Sequence, residues 1–281
     1  QYIRLRKQTP HKHCICGGAI SNEGHSNHDT PDTLFLPWKE TNSLPDTAGN
    51  YYLTRDVKLT KQWTPSRTFN ICLNGFSITT SDEVDANVTS INLDQTDDVL
   101  TLTDCNTEEK QGTISFIYYK HKSKNAIRLS VGATFNLYGG TIKDYRQSAV
   151  YVTNGTFNMY GGTLTNNTNS NAGPAVYCEG SSAFNMYSGK ITGNSTDKDA
   201  TSHGGGVYIG ANTAFTMKGG EITNNTASGY GGGVYIAKDA TSYSISNATI
   251  TGNTAGANCL GGGIYASVGG MISNSTISNN Q

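Results

Sequence analysis

The chain has 281 residues, 15% of them charged, with 20 Lys and Arg against 21 Asp and Glu and a formal net charge of −1. No global field of either sign draws it to nucleic acid or an acidic membrane surface, and no run of about 18 apolar residues exists for membrane insertion as a helix. Glycine is abundant at 33 residues, against 6 prolines, yet apolar residues recur at regular positions, which a disordered chain lacks. The sequence opens at Gln1 without an apolar signal segment, as expected of a mature or trimmed chain.

Residues 11–28 read HKHCICGGAISNEGHSNH. Cys14 and Cys16, followed by His25 and His28, give C-x-C-x8-H-x2-H, with His11 and His13 as spare ligands. Two thiolates and two imidazoles suit tetrahedral Zn²⁺, and a closed set of four keeps no open position for water, so the metal is expected to be structural. The alternatives are a Cys14–Cys16 link and an unstructured, tag-like segment. The Cys/His module is assigned to residues 1–33. Residues 43–63, SLPDTAGNYYLTRDVKLTKQW, carry Leu44, Tyr52, Leu53, Val57 and Leu59 as apolar positions. They place a cap and opening strands over 34–67, needed because the end of a stack of strands is a bare edge.

The remainder repeats one phrase. FNLYGGTI starts at Phe135, FNMYGGTL at Phe157, FNMYSGKI at Phe184, FTMKGGEI at Phe215 and YSISNATI at Tyr243, at spacings of 22, 27, 31 and 28. A second apolar position follows seven residues on: Ile142, Leu164, Ile191, Ile222 and Ile250. A third follows after a variable gap: Val150, Val176, Val207, Val234 and Ile264. Each copy therefore reads as three short strands of alternating pattern joined by turns, and such lengths belong to solenoids. Fainter copies at 71–78, 99–105 and 271–277 bring the total over 68–281 to about eight three-strand coils. The fold class is all-β, a single-stranded right-handed parallel β-helix (solenoid) with a small N-terminal metal-binding module. Stacked at about 4.8 Å, eight coils make a rod roughly 35–40 Å long.

Asn167, Asn194, Asn225, Asn253 and Asn280 each lie three residues beyond the second-strand apolar position, where Tyr145 stands in the first full copy. One amide per coil predicts a hydrogen-bonded ladder, in a turn whose αL geometry asparagine tolerates. The N-x-S/T sequons at Asn87, Asn154, Asn166, Asn194, Asn224, Asn247 and Asn274 follow from the same turns.

ITNNTASGYGGGVY (222–235) and ITGNTAGANCLGGGIY (250–265) resemble the polymorphic outer-membrane protein type of repeat of bacterial adhesins. The wider pattern over 68–281, with its HKHCICG leader, resembles right-handed β-helix surface proteins of Gram-positive gut bacteria. The resemblance implies export, to a secreted or cell-wall attached (extracellular) location. The chain stops at ISNNQ in mid-coil, as expected of part of a longer chain.

Outward positions carry the candidate site. Tyr138, Tyr160 and Tyr187 with Asn136, Asn158 and Asn185 fall on one face. Tyr151, Tyr177, Tyr208, Tyr235 and Tyr265 fall on another, beside the linkers 166–174, 193–206, 224–233 and 252–263 that hold almost all the length variation. The ladder reads either as a structural stack or as a platform for sugars, with polar side chains reading hydroxyls. Catalysis needs paired carboxylates or carboxylate-bound Ca²⁺, and the repeats offer only Asp144 with Arg146, Glu179, Glu221, and Asp197 with Asp199. The acidic run 81–98 reads as a solvated loop, with Ca²⁺ as the alternative, and YKHKSK (119–124) as a solvated basic loop. Cys178 reads as a small inward residue, while Cys72, Cys105 and Cys259 suggest no pairing. The functional expectation is a non-catalytic adhesin or binding module whose partner is a glycan or host surface protein. The alternatives are a polysaccharide lyase or glycoside hydrolase, and a spacer of a larger surface protein.

Overall fold

In the computed structural model, which describes residues 11–13, 33–81, 89–105, 111–117, 124–197 and 201–281, the apolar positions of successive copies lie above one another. Phe135 pairs in register with Phe157, Phe157 with Phe184, and Phe184 with Phe215. Their rings stack at 5.2, 5.0 and 5.3 Å. Ile142, Leu164, Ile191, Ile222 and Ile250 form a second buried column, and Val150, Val176, Val207 and Val234 a third. Each such side chain contributes about 1.5–3 kcal/mol of gross burial, and the three columns together make one core.

The described residues are all β, with no helix among them, and none long and apolar enough to cross a membrane. The first sheet runs from Thr33–Trp38 to Met271–Ser273, with His11–His13 added antiparallel at its start. The second runs from Val57–Lys58 to Thr276–Ser278 and the third from Ile91–Leu93 to Ile264–Ala266. Every pairing within them apart from that of His11–His13 is parallel, the pattern of a parallel β-helix. All eight copies counted from residue 68 onward are rungs of the first sheet. Ahead of these copies, Thr33–Trp38 and Gly49–Leu53 are two further rungs of that sheet. Leu44, Tyr52, Leu53, Val57 and Leu59 are all buried.

The asparagine ladder is continuous. The Nδ2 of Asn167 donates to Asn194 Oδ1 at 2.9 Å, Asn194 to Asn225 at 2.9 Å, Asn225 to Asn253 at 3.0 Å and Asn253 to Asn280 at 3.0 Å. Its asparagines do not take the αL conformation expected of them. That falls one residue earlier, on Asp144, Asn166, Gly193, Asn224, Gly252 and Asn279, with φ between 54° and 68°. The division of labour is physical: the αL residue turns the chain outward, and the next residue then points its amide down the rod. Tyr145 closes the ladder, its N–H donating to Asn167 Oδ1 at 3.1 Å and its buried ring stacking on Phe116. The glycine triplet 231–233 has equally local causes. Gly231 has φ 70°, and a Cβ on Gly232 would lie 2.3 Å from the Gly262 carbonyl oxygen of the next coil. On Gly233 it would press on Asn253 at 3.0 Å.

Candidate functional site

Alternation along the third sheet turns one side chain per strand outward, between two that enter the core. In Val207–Ile209 the neighbours of Tyr208 are fully buried while Tyr208 is half-buried. The register places Arg128, Tyr151, Tyr177, Tyr208, Tyr235 and Tyr265 in one file. The five rings stack at 5.1, 4.7, 5.2 and 5.3 Å, within 15° of parallel. Such spacing uses the ring faces on each other. Tyr177, Tyr208 and Tyr235 therefore have both faces covered, and a pyranose cannot lie flat on them. What the ladder offers is a strip of ring edges ending in a file of hydroxyls.

Glu179 organises one end of that file. Tyr151 donates its hydroxyl proton to Glu179 Oε1 and Tyr177 to Oε2, both at 3.0 Å. Burial, reinforced by the Glu179 carboxylate, pushes the Tyr151 phenol up to about 12 and raises that of Tyr177 as well. Tyr208 and Tyr235 are raised first by burial, then by the neighbouring tyrosine, with Asp239 contributing to both. Tyr151, Tyr177, Tyr208 and Tyr235 thus keep their hydroxyl protons at neutral pH.

The variable linkers lie beside it, as expected. His203, from linker 193–206, stacks on Tyr235 at 4.6 Å and 12°. Tyr230, from linker 224–233, packs on Tyr265 at 4.9 Å and on His203 at 5.3 Å. The Tyr230 N–H donates to His203 Nδ1 at 3.1 Å, and burial lowers the histidine's pKa. The sequence reading missed this second aromatic row. Its signal was there: His203, Tyr230 and Leu260 each stand immediately before a glycine triplet. The first sheet carries the other expected file, with Tyr138, Tyr160 and Tyr187 stacked at 4.4 and 4.8 Å and Lys218 Nζ 5.5 Å over the Tyr187 ring. Asn185 donates to Asn158, and Asn158 to Asn136, each at 2.9 Å.

Three of the carboxylates weighed for catalysis have structural partners. Glu179 holds two tyrosines, Glu221 pairs with Lys190 at 2.9 Å, and Asp144 with Lys143 at 3.4 Å. Asp199 lies outside the described residues. In the acidic run, Asp82, Glu83 and Asp85 also lie outside them. Asp98 is buried and accepts from the amides of Arg67, Asp94 and Gln95 at 2.8, 3.2 and 2.9 Å, so it serves the turn. Lys124, at the end of the basic run, is buried rather than solvated. Among the described residues no group of three or more His, Cys, Asp or Glu is set to hold a metal ion. The zinc ligands read from sequence, Cys14, Cys16, His25 and His28, lie outside the described residues. No protein-family model, curated protein or solved structure matches this chain.

Proposed function

We propose that this chain is a right-handed parallel β-helix module, secreted or attached to a bacterial cell wall, that binds a glycan or a host surface protein without catalysis. The observation that supports the reading is the third-sheet face. Five stacked tyrosines carry a file of hydroxyls, bordered by His203 and Tyr230 from the linkers of variable length. Hydroxyls repeating once per rung, at about 4.8 Å, suit an extended ligand rich in hydrogen-bonding groups. Rings locked by stacking lose little entropy on binding, and linkers on a rigid scaffold are the usual place for specificity. The engaged state of Glu179 and Glu221 supports a non-catalytic role over the lyase or hydrolase alternative. The Cys14, Cys16, His25 and His28 spacing supports one structural zinc in the amino-terminal segment. A glycan array probed with the purified chain, followed by product analysis, tests the reading. Binding without new saccharide products is expected. Released or unsaturated products would favour the enzyme, and silence on glycans and host glycoproteins alike would favour the spacer.

A further inference from the structure

Four described cysteines carry thiols: Cys72, Cys105, Cys178 and Cys259. Cys178 points into the core, with Val152 and Ile209 as its register neighbours, so no sulfur lies above or below it. Cys259 sits in linker 252–263. Cys72 and Cys105 differ from both. Cys72 ends Thr68–Cys72, and its register partner on the next rung is Thr103, two residues before Cys105. Beyond Thr103 the strand ends, and the Cys105 N–H donates to Cys72 Sγ at 3.4 Å. Cys72 belongs to a small apolar cluster with Phe35 and Tyr52, separate from the main core, and Cys105 packs against it.

We propose that Cys72 and Cys105 form a disulfide that staples the rungs Thr68–Cys72 and Val99–Thr103 together, made by thiol–disulfide exchange in which Cys105 reacts first. Cys105 is partly exposed, whereas Cys72 has no accessible surface. The Cys105 thiolate attacks a small-molecule disulfide and displaces one small thiolate, leaving a mixed disulfide on Cys105. The Cys72 sulfur, having given up its proton, then attacks the Cys105 sulfur and displaces the second small thiolate. One external disulfide is reduced to two thiols while two protein thiols become one disulfide, and the two protons end on the released thiols. Burial, with the Cys105 thiol beside it, holds the Cys72 thiol well above the usual range. It is a poor first nucleophile in solution, but its sulfur already lies 3.4 Å from the Cys105 backbone nitrogen and needs no diffusion to reach that residue.

The bond would close the segment 73–104, in which the Asp104 carboxylate accepts from the Gly75 amide at 2.9 Å. A solenoid coil is held only by its neighbours, so a covalent tie between two rungs blocks unzipping at that place. The test equilibrates the folded full chain with oxidised and reduced glutathione, quenches exchange, alkylates the chain in denaturant, digests it and maps the peptides. The expected result is a predominant Cys72–Cys105 peptide, two hydrogens lighter than its reduced parts, with Cys178 and Cys259 alkylated. C72S should retain glutathione on Cys105, whereas C105S should leave Cys72 unmodified. Recovery of Cys72 and Cys105 both alkylated from the wild-type chain would overturn the proposal, as would a peptide joining Cys72 to Cys14, Cys16 or Cys259. The wild-type map decides even if a variant fails to fold.

Discussion

Asn225 has no exposed surface, and its side chain makes four hydrogen bonds. Its Oδ1 accepts from the Asn194 amide at 3.0 Å and from Asn194 Nδ2 at 2.9 Å. Its Nδ2 donates to the Ile191 carbonyl and to Asn253 Oδ1, both at 3.0 Å. In Asn225→Ala some of these groups keep other partners. Asn194 Nδ2 still reaches the carbonyls of Leu164 and Thr192, and Asn253 Oδ1 still accepts from the Asn225 amide. The Asn194 N–H loses its acceptor inside the rod. Orphaning one buried amide costs about 1–3 kcal/mol, and each of the three remaining bonds about 0.5–1.5 kcal/mol net, so the sum is about 2.5–7.5 kcal/mol. At this chain length that lowers the melting temperature on the order of 10 °C. The comparison is Asn224→Ala next door, which is exposed with φ 55° and should lose only the αL preference, about 1 kcal/mol. Thermal unfolding followed by circular dichroism measures both. Equal losses for the two variants would refute the assignment of turning to Asn224 and laddering to Asn225.

Val207→Asp puts a carboxylate into a fully buried column and should prevent folding of several coils, whereas Tyr208→Ser, one residue on, should leave a folded chain; limited proteolysis separates the two outcomes. The raised phenols give a pH prediction. Tyr151 stands at about 12 against an ordinary 10.0, so folding favours its neutral form. That contribution is complete below pH 10 and is lost as pH rises toward 12, and phenolate absorbance should show late-titrating tyrosines that disappear in urea. Elemental analysis of the chain purified without a histidine tag should find about one zinc, and none after Cys14→Ser with Cys16→Ser.

The repeat was legible because its period is written into large side chains. Phe135, Phe157, Phe184 and Phe215 fix the first strand of each coil, and the tyrosine of each VY pair must then face outward. The asparagine column was legible for the same reason, but its conformation was not. In an Asn-Asn pair such as 166–167 either residue tolerates αL, and only packing against the next coil decides. Ring orientation was hidden too. Alternation tells that Tyr208 points out, but not that its faces are spent on Tyr177 and Tyr235. His203 and Tyr230 were missed because alignment on the leading aromatic blurs across linkers of unequal length, whereas alignment on the glycine triplets brings them into one column. Cys72 and Cys105 meet only because the chain turns after Thr103, which the strand pattern does not encode.

The most direct test of the binding proposal is the affinity of the triple variant Tyr177→Phe, Tyr208→Phe, Tyr235→Phe for a glycan or host glycoprotein that the wild-type chain retains. Phenylalanine keeps the rings for the stack and removes the central hydroxyls, with them the bond from Tyr177 to Glu179. With an unchanged melting temperature, affinity should fall by at least about tenfold, or 1.4 kcal/mol. Affinity equal to that of the wild-type chain would contradict the binding proposal and leave the ladder a structural stack.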